Sequence, residues 1–453
     1  MKAFLKKIVV FILRVESQLV LKKYKPKIVA ITGSVGKTST KDAVYAVLAP
    51  FAYVRKSEKS YNSEIGLPLT ILGCENAWSN PIAWLENIAR AFWLIIWPHS
   101  YPEWLVLEVG IGKPGDMRRT ASWLRTDVVI ITAIGETPVH IEFFASRKHL
   151  VEEKSGLIKT LKKGGVLVLN ADDKDVASMR DLARNPKKPQ GEEKARHPVV
   201  TYGFDKNADI VCSGDSIFYN EAGLPDGVIF RIDSEGKSFP VVIEGVFGRN
   251  HVYAALGALT LALILKFNML TATHALKNYE VPPGRMRLLQ GIHGSLIIDD
   301  TYNSSPLASQ SALNILREIK LKENSENHAR KIAVLGDMLE LGRHTVEAHK
   351  ALGKLARETL VATSDMLITV GQRAKTIKEG ALEAGLNKEN IMEFSNSREA
   401  GEFVRTFVKE GDLVLVKGSQ GVRMERVVEA ILLDQENRKN LLVRQEEKWQ
   451  NKN

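Results

Sequence analysis

Residues 27–40 read Lys-Ile-Val-Ala-Ile-Thr-Gly-Ser-Val-Gly-Lys-Thr-Ser-Thr, and this stretch decides the fold. The apolar, largely β-branched run 28–32 predicts a buried strand, and a helix is expected from about Lys37. Between them lies a glycine loop. A strand, glycine loop and helix in succession form the unit of open α/β sheets whose loop amides and helix N-terminus suit an anion. Gly33, Ser34, Val35, Gly36, Lys37, Thr38 and Ser39 are therefore candidate nucleotide-phosphate residues. Lys37 is placed to reach the β- and γ-phosphates and the Thr38 hydroxyl to hold Mg²⁺. Gly33 precedes Gly36 by only three residues, so the loop is shorter than the general phosphate loop.

Outward from this unit the chain alternates between short apolar runs and helical stretches, which predicts a mostly parallel sheet with helices on its faces. Runs 104–109, 128–132 and 165–170 are the next expected strands. Residues 185–197 read as an exposed loop, 199–246 as a small β-rich excursion, and 250–266 as a helix. Val281-Pro-Pro-Gly284 is a boundary signal. Beyond it the runs 296–299, 331–335, 366–370 and 413–416 predict a second α/β unit. The expected organisation is a basic helix at 1–26, a central phosphate-loop domain at 27–281, a Rossmann-like α/β domain at 282–435, and a charged, solvated tail at 436–453.

Composition narrows the partners. Net charge is +10, which suits anionic ones, whether nucleotide, nucleic acid or acidic lipid. The only cysteines, Cys74 and Cys212, lack zinc-site spacing and fit a reducing, cytoplasmic compartment. Near the N-terminus, Lys2, Lys6 and Lys7 precede a six-residue apolar run, 8–13. That is too short for a signal core or for a span of about 20 residues. A basic amphipathic helix remains, either packed on the next domain or lying on a membrane surface. Residues 81–97, with Trp84, Trp93 and Trp97, read as a helix that is apolar nearly all round at its end, for which burial is the expectation.

Eight segments follow one another along the chain. They are Thr32-Gly-Ser-Val-Gly-Lys-Thr38, Asn62-Ser-Glu-Ile-Gly-Leu-Pro-Leu69, Leu107-Glu-Val-Gly110, Asn170-Ala-Asp-Asp173, Pro283-Gly-Arg285, Asp299-Asp-Thr-Tyr-Asn-Ser-Ser-Pro306, Leu335-Gly-Asp-Met-Leu-Glu-Leu-Gly342 and Val416-Lys-Gly-Ser419. In this order they resemble the Mur ligase family over about residues 27–430, nearest its D-alanyl-D-alanine-adding branch. The resemblance implies an ATP-dependent amide ligase of peptidoglycan synthesis that uses two Mg²⁺ ions. It implies UDP-muramoyl-tripeptide and D-alanyl-D-alanine as substrates and no nucleic-acid partner.

Roles then attach to single residues. Glu108 ends a predicted strand on the side where ligands collect, and a carboxylate there suits Mg²⁺; by itself such a residue also reads as a cap or a surface group. The resemblance implies that His140 binds a second Mg²⁺ and that Lys154, 14 residues on, is carbamylated. Sequence alone makes Lys154 a solvated helix lysine beside Glu152 and Glu153. By the same resemblance Arg285, Asp300, Tyr302 and Asn303 meet the nucleotide or substrate. Asn62, Asp337, Glu340 and Lys417 contact substrate. His251 stands where the family commonly has an adenine-contacting asparagine.

Two further expectations follow. With the phosphate loop at residue 33, the family's usual UDP-sugar-binding front domain is expected to be replaced by the basic helix. A folylpolyglutamate-type branch conflicts with Thr38, and a diaminopimelate- or lysine-adding branch conflicts with the lack of an Asp-Asn-Pro-Arg segment. From another class, a non-catalytic, membrane-peripheral nucleotide-binding scaffold stays open as the alternative.

Overall fold

The computed structural model describes residues 2–58, 62, 64–77, 80–135, 143–184, 197–234, 236–321, 329–446 and 449, with the backbone alone for 2–7. The expected loop at 185–197 therefore lies almost wholly outside the described residues, as does His140. The chain divides into two compact units. Unit 1 comprises Met1–Gly214, Phe230–Val241 and Asn250–Glu280, and unit 2 comprises Asp215–Ile229, Val242–Arg249 and Val281–Asn453.

Unit 1 opens with the helix α1 (Lys2–Tyr24), the strand β1 (Lys27–Thr32) and the helix α2 (Lys37–Leu48). There follow β2 (Val54–Lys56), α3 (Gly66–Leu72), α4 (Pro81–Ile96), β3 (Trp104–Glu108), α5 (Asp116–Ala121), β4 (Thr126–Ile131), α6 (Arg147–Ser155) and β5 (Leu161–Asn170). Next along the chain come α7 (Lys174–Ser178), α8 (Arg180–Arg184), β6 (Val199–Gly203), β7 (Ile210–Tyr219), β8 (Pro225–Ser234), β9 (Lys237–Glu244) and α9 (Arg249–Ile264), of which Asp215–Ile229 and Val242–Arg249 count with unit 2. The strands form one sheet in the order β2-β3-β1-β4-β5-β6-β7-β8-β9, parallel from β2 to β7. The β-rich excursion expected at 199–246 is thus the continuation of this sheet.

The central strands are continuous apolar runs because helices cover both faces. Every residue of β3 is buried, and only Lys27 of β1 is exposed. Register aligns Ile31 with Glu108 and Thr32 with Ile131, so the carboxyl ends of β1, β3 and β4 stand side by side. Loops leaving such ends carry the ligand sites of open α/β sheets.

Unit 2 holds a six-stranded sheet built from β10 (Arg287–Gln290), β11 (Leu296–Asp300), β12 (Lys331–Gly336), β13 (Met366–Val370), β14 (Ile391–Phe394) and β15 (Leu413–Lys417). Its order is β10-β11-β15-β12-β13-β14, with β10 antiparallel and the rest parallel. Together the sheets make the α/β, mostly parallel class expected from the sequence.

Three readings are corrected. The helix α4 is not buried: Asn87 and Ala91 are its only buried residues, while Ile82, Leu85, Phe92, Trp93 and Ile96 are half or more exposed. An all-round apolar sequence cannot say which side meets the core. The tail is not wholly solvated. Leu442 is buried in the unit 2 core, and Arg444 lies against Glu425 while donating to the Thr301 and Tyr302 carbonyls. Arg444 of the tail is thus held by buried partners, while Glu436 and Lys439 stay exposed. The third is the solvated reading that its neighbours alone gave Lys154, which is buried against the glycine loop, the site to which the resemblance assigns it.

α1 packs on α3 and α4, with Leu13 and Val20 fully buried. Burial of each such side chain contributes about 1.5–3 kcal/mol. At its end Lys23 Nζ donates to the carbonyls of Leu94, Ile95 and Trp97, the last turn of α4. Cations there satisfy carbonyls the helix cannot pair and oppose its dipole.

Candidate active site

The glycine loop is held from below. Ser34 and Val35 donate their backbone N–H groups to the Ala133 carbonyl at 2.7 and 3.0 Å. Thr132 Oγ1 donates to the Val35 carbonyl at 2.6 Å. Gly33 has φ 151°, and a Cβ there would lie 2.0 Å from Thr132 Oγ1, so no larger residue fits. Gly36, at φ 83°, turns the chain into α2. The loop's outer surface is thus the start of α2, at Gly36, Lys37 and Thr38, where helix N–H groups and the positive dipole end favour an anion. Lys37 lies over the loop with Nζ 3.3 Å from the Ser34 carbonyl. The buried Ser34 hydroxyl has no hydrogen-bond partner, which fits a phosphate acceptor beside it. Ser39 is buried in the next turn.

Glu108 stands beside this loop. It is 1% exposed, accepts from Thr38 Oγ1 at 2.9 Å through Oε2, and from Asn62 Nδ2 at 3.0 Å through Oε1. Asn62 is itself pinned, because its carbonyl accepts from the Gly110 N–H and its side chain fills the space a Cβ at Gly110 would need. The surface or cap reading of Glu108 does not hold. A buried carboxylate beside the Thr38 hydroxyl, oriented by the Asn62 amide N–H, offers oxygen ligands that fit Mg²⁺, which takes few protein ligands alongside phosphate oxygens. No group of three His, Cys, Asp or Glu gathers among the described residues.

Lys154 closes the arrangement. It sits near the end of α6, 4% exposed, and Nζ donates to the Gly33 carbonyl at 2.8 Å. Burial, and then the charge of Lys37, push its pKa far below the ordinary lysine range. Folding thus places the Lys154 amine, with its charged form disfavoured by burial, against the underside of the phosphate loop. The flanking glutamates that made it look solvated point elsewhere: Glu153 caps α5 at the Met117 N–H.

The segment ending in Asp173, to which the resemblance attached no role, has a structural one here. Asp173 Oδ2 accepts from the Ile134 and Gly135 N–H groups at 2.7 and 2.9 Å, and Arg147 donates to the Gly135 carbonyl. These two residues fix the chain that leaves β4. His251 is 2% exposed in α9 and its Nδ1 lies 3.0 Å from the Tyr279 hydroxyl.

Unit 2 gathers a second set. Lys417 Nζ pairs with Asp300 Oδ2 at 2.5 Å and donates to the Asn303 carbonyl at 3.0 Å. Asp300 Oδ1 accepts from the Met286 N–H, and the Arg285 guanidinium stacks 4.1 Å from the Tyr302 ring centre. Burial raises the Asp300 pKa, against the lowering effect of Lys417 and Arg285. Arg285, Asp300, Tyr302, Asn303 and Lys417 are thus one cluster. Asp337 does not join it through its carboxylate, which accepts from the Ala374 N–H at the start of the helix Lys375–Glu383. Glu340 is exposed in a left-handed turn, φ 61°. The loop that carries both is held by buried His349, whose Nε2 accepts from the Met338 N–H at 2.9 Å.

The sequence model of the Mur ligase middle domain matches residues 31–262, just over half the chain, and that of the Mur ligase glutamate ligase domain matches 284–420. The chain belongs to the Mur ligase family. This Mur ligase is similar to the UDP-N-acetylmuramoyl-tripeptide–D-alanyl-D-alanine ligase of Bacillus subtilis (strain 168), 28% identical over 412 residues, which is 91% of this chain and 77% of that protein. The enzyme of the same name from Escherichia coli (strain K12) is 23% identical over 89% of this chain and 76% of its own. Among solved structures, the MurF ligase from Thermotoga maritima in complex with ADP aligns at TM-score 0.72 and 26% identity, covering 95% of this Mur ligase and 84% of that chain.

Proposed function

We propose that this Mur ligase joins the terminal carboxylate of UDP-muramoyl-tripeptide to the amine of D-alanyl-D-alanine, at the expense of ATP, in cytoplasmic peptidoglycan precursor synthesis. The observation that carries the reading is the convergence of Lys37, Thr38, Glu108 and Lys154 on one phosphate loop. The names and coverage of the relatives support the substrate pair.

The reaction has two steps. A carboxylate oxygen attacks the γ-phosphorus and ADP leaves, giving an acyl phosphate. The dipeptide amine then attacks the acyl carbon, phosphate leaves with that oxygen, and the amine's proton is lost. Mg²⁺, held through Thr38 and Glu108 and through His140 for a second ion, would supply charge neutralisation between anions that otherwise repel. Lys37 stabilises the γ-phosphoryl charge, and the loop amides orient it for in-line attack. Arg285, Asp300 and His251 are assigned to the nucleotide; Asn62, Tyr302, Asn303, Asp337 and Glu340 are assigned to substrate.

Lys154 is proposed to be a carbamate. Its neutral amine attacks CO₂, a C–N bond forms, and one proton leaves. Burial beside Lys37 supports this, since an anion there would gain a cationic neighbour and an ammonium would not. Peripheral membrane contact by α1 is also proposed, supported by its exposed Ile8, Phe11 and Leu19.

The test is ADP release from ATP. It should require both the tripeptide nucleotide and the dipeptide. ATP binding with no turnover under any acceptor would favour the scaffold reading instead.

A further inference from the structure

The helix α4 has two apolar faces. Trp84, Ile88, Leu94 and Ile95 pack on the unit 1 core around buried Asn87 and Ala91. Ile82, Leu85, Phe92, Trp93 and Ile96 recur at helical spacing on the other side, and each is 50–67% exposed. At 100° per residue these five fall within one sector of the helix, opposite the buried stripe. Trp97 extends the sector past the last turn, half exposed and stacked with Trp93 at 6.1 Å between ring centres. Glu86 and Arg90 are the only charged residues on α4.

An exposed stripe of this kind marks an interaction surface. Its chemistry favours a lipid surface over a protein. Protein interfaces carry roughly one hydrogen bond per 100–200 Å², whereas this stripe is hydrocarbon apart from the indoles of Trp93 and Trp97. Tryptophan is the side chain that settles where hydrocarbon meets headgroups. Arg90 is exposed on α4, as is the helix's one acid, Glu86; Lys22, Lys25 and Lys27 are exposed on the chain around Lys23, whose Nζ meets the carbonyls at the end of α4. The net charge of +10 has the matching sign. A helix of 16 residues spans about 24 Å, short of a hydrocarbon core of about 30 Å. No helix among the described residues is long and apolar enough to cross a membrane. The helix would therefore lie in the interface plane.

We propose that the outer face of α4 seats this protein on anionic bilayers, with α4 rather than α1 as the main inserted element. The ligase reading is independent of this, since the stripe contains no site residue. It goes beyond the α1 contact by naming different residues and a lipid charge.

The experiment is flotation of the full chain with phosphatidylcholine vesicles, with and without about a third phosphatidylglycerol. One variant combines Phe92→Ser, Trp93→Ser and Trp97→Ser, and a second combines Lys22→Glu and Lys25→Glu. Lys23 is left intact because it caps α4. The wild type should float with anionic vesicles and about tenfold less with neutral ones. The aromatic variant should lose about tenfold or more in partitioning while keeping its melting temperature and ADP binding. The lysine variant should lose the preference for anionic lipid and keep the aromatic contribution. Should the triple variant misfold, the single change Trp93→Ser on α4 takes its place: it should still lose partitioning, and flotation like the wild type would overturn the proposal. Wild-type flotation that ignores lipid charge, or an aromatic variant that floats like the wild type, would overturn the proposal. So would a wild-type dimer that the aromatic variant makes monomeric, with no lipid binding by either, because the stripe would then be a self-association face.

Discussion

A lysine that folding has stripped of water and set against a carbonyl can serve in two ways, and substitutions separate them. If Lys154 acts by positive charge, Lys154→Arg should work. If it acts as a carbamate, Arg should fail, because a guanidinium offers no neutral amine to CO₂. The expected outcome is a loss of about a hundredfold or more in both Lys154→Ala and Lys154→Arg. High formate or acetate should partly restore the alanine variant alone. Active Lys154→Arg would remove the carbamate. Gly33→Ala makes a second prediction at this scale. The Cβ would strike Thr132 Oγ1, whose hydroxyl holds the loop, at a backbone angle that disfavours side chains. ADP affinity should fall severely with the secondary structure intact; calorimetric titration giving a wild-type affinity would show that the loop tolerates it. Lys37, Thr38 and Glu108 were legible because motif and strand end are local properties. The state of Lys154 was not. Its neighbours in sequence, Glu152 and Glu153, are carboxylates, yet its neighbours in space are Gly33 and Lys37.

Among the elements, α1 carries an acid in an unfavourable place. Glu16 is 8% exposed, and burial pushes its pKa up to about 7. Folding thus disfavours its ionised form. The penalty is absent below the unfolded value near 4.5, grows as pH rises toward 7, and is complete above that. Glu16→Gln should accordingly raise the melting temperature at about pH 8 and change it little at about pH 4, where the native carboxyl is already neutral. An equal shift at both pH values would mean that packing, and not ionisation, governs the site. The strands around β1 could be read from their continuous apolar runs. α4 could not, since composition shows two apolar stripes without showing which one the core claims. The run at 199–246 was similarly opaque. Its strands alternate in burial as sheet edges do, and pairing across sequence joined them to β6.

For the molecule as a whole, nucleotide binding and stability are linked. A ligand held only by the folded state stabilises it by about 2.7 kcal/mol at a hundred times its dissociation constant. Excess ADP with Mg²⁺ should therefore raise the melting temperature of the wild type, and Lys37→Ala should lose most of that shift. An unchanged shift in the variant would place the nucleotide elsewhere. In the proposed reaction, carboxylate activation and amide formation both happen on this chain. Tripeptide nucleotide labelled with ¹⁸O in its terminal carboxylate tests it most directly. With ATP and D-alanyl-D-alanine present, mass spectrometry should find one ¹⁸O in each released phosphate and the mass of the ligated pentapeptide nucleotide. ADP release with unlabelled phosphate and no ligated product would contradict the account.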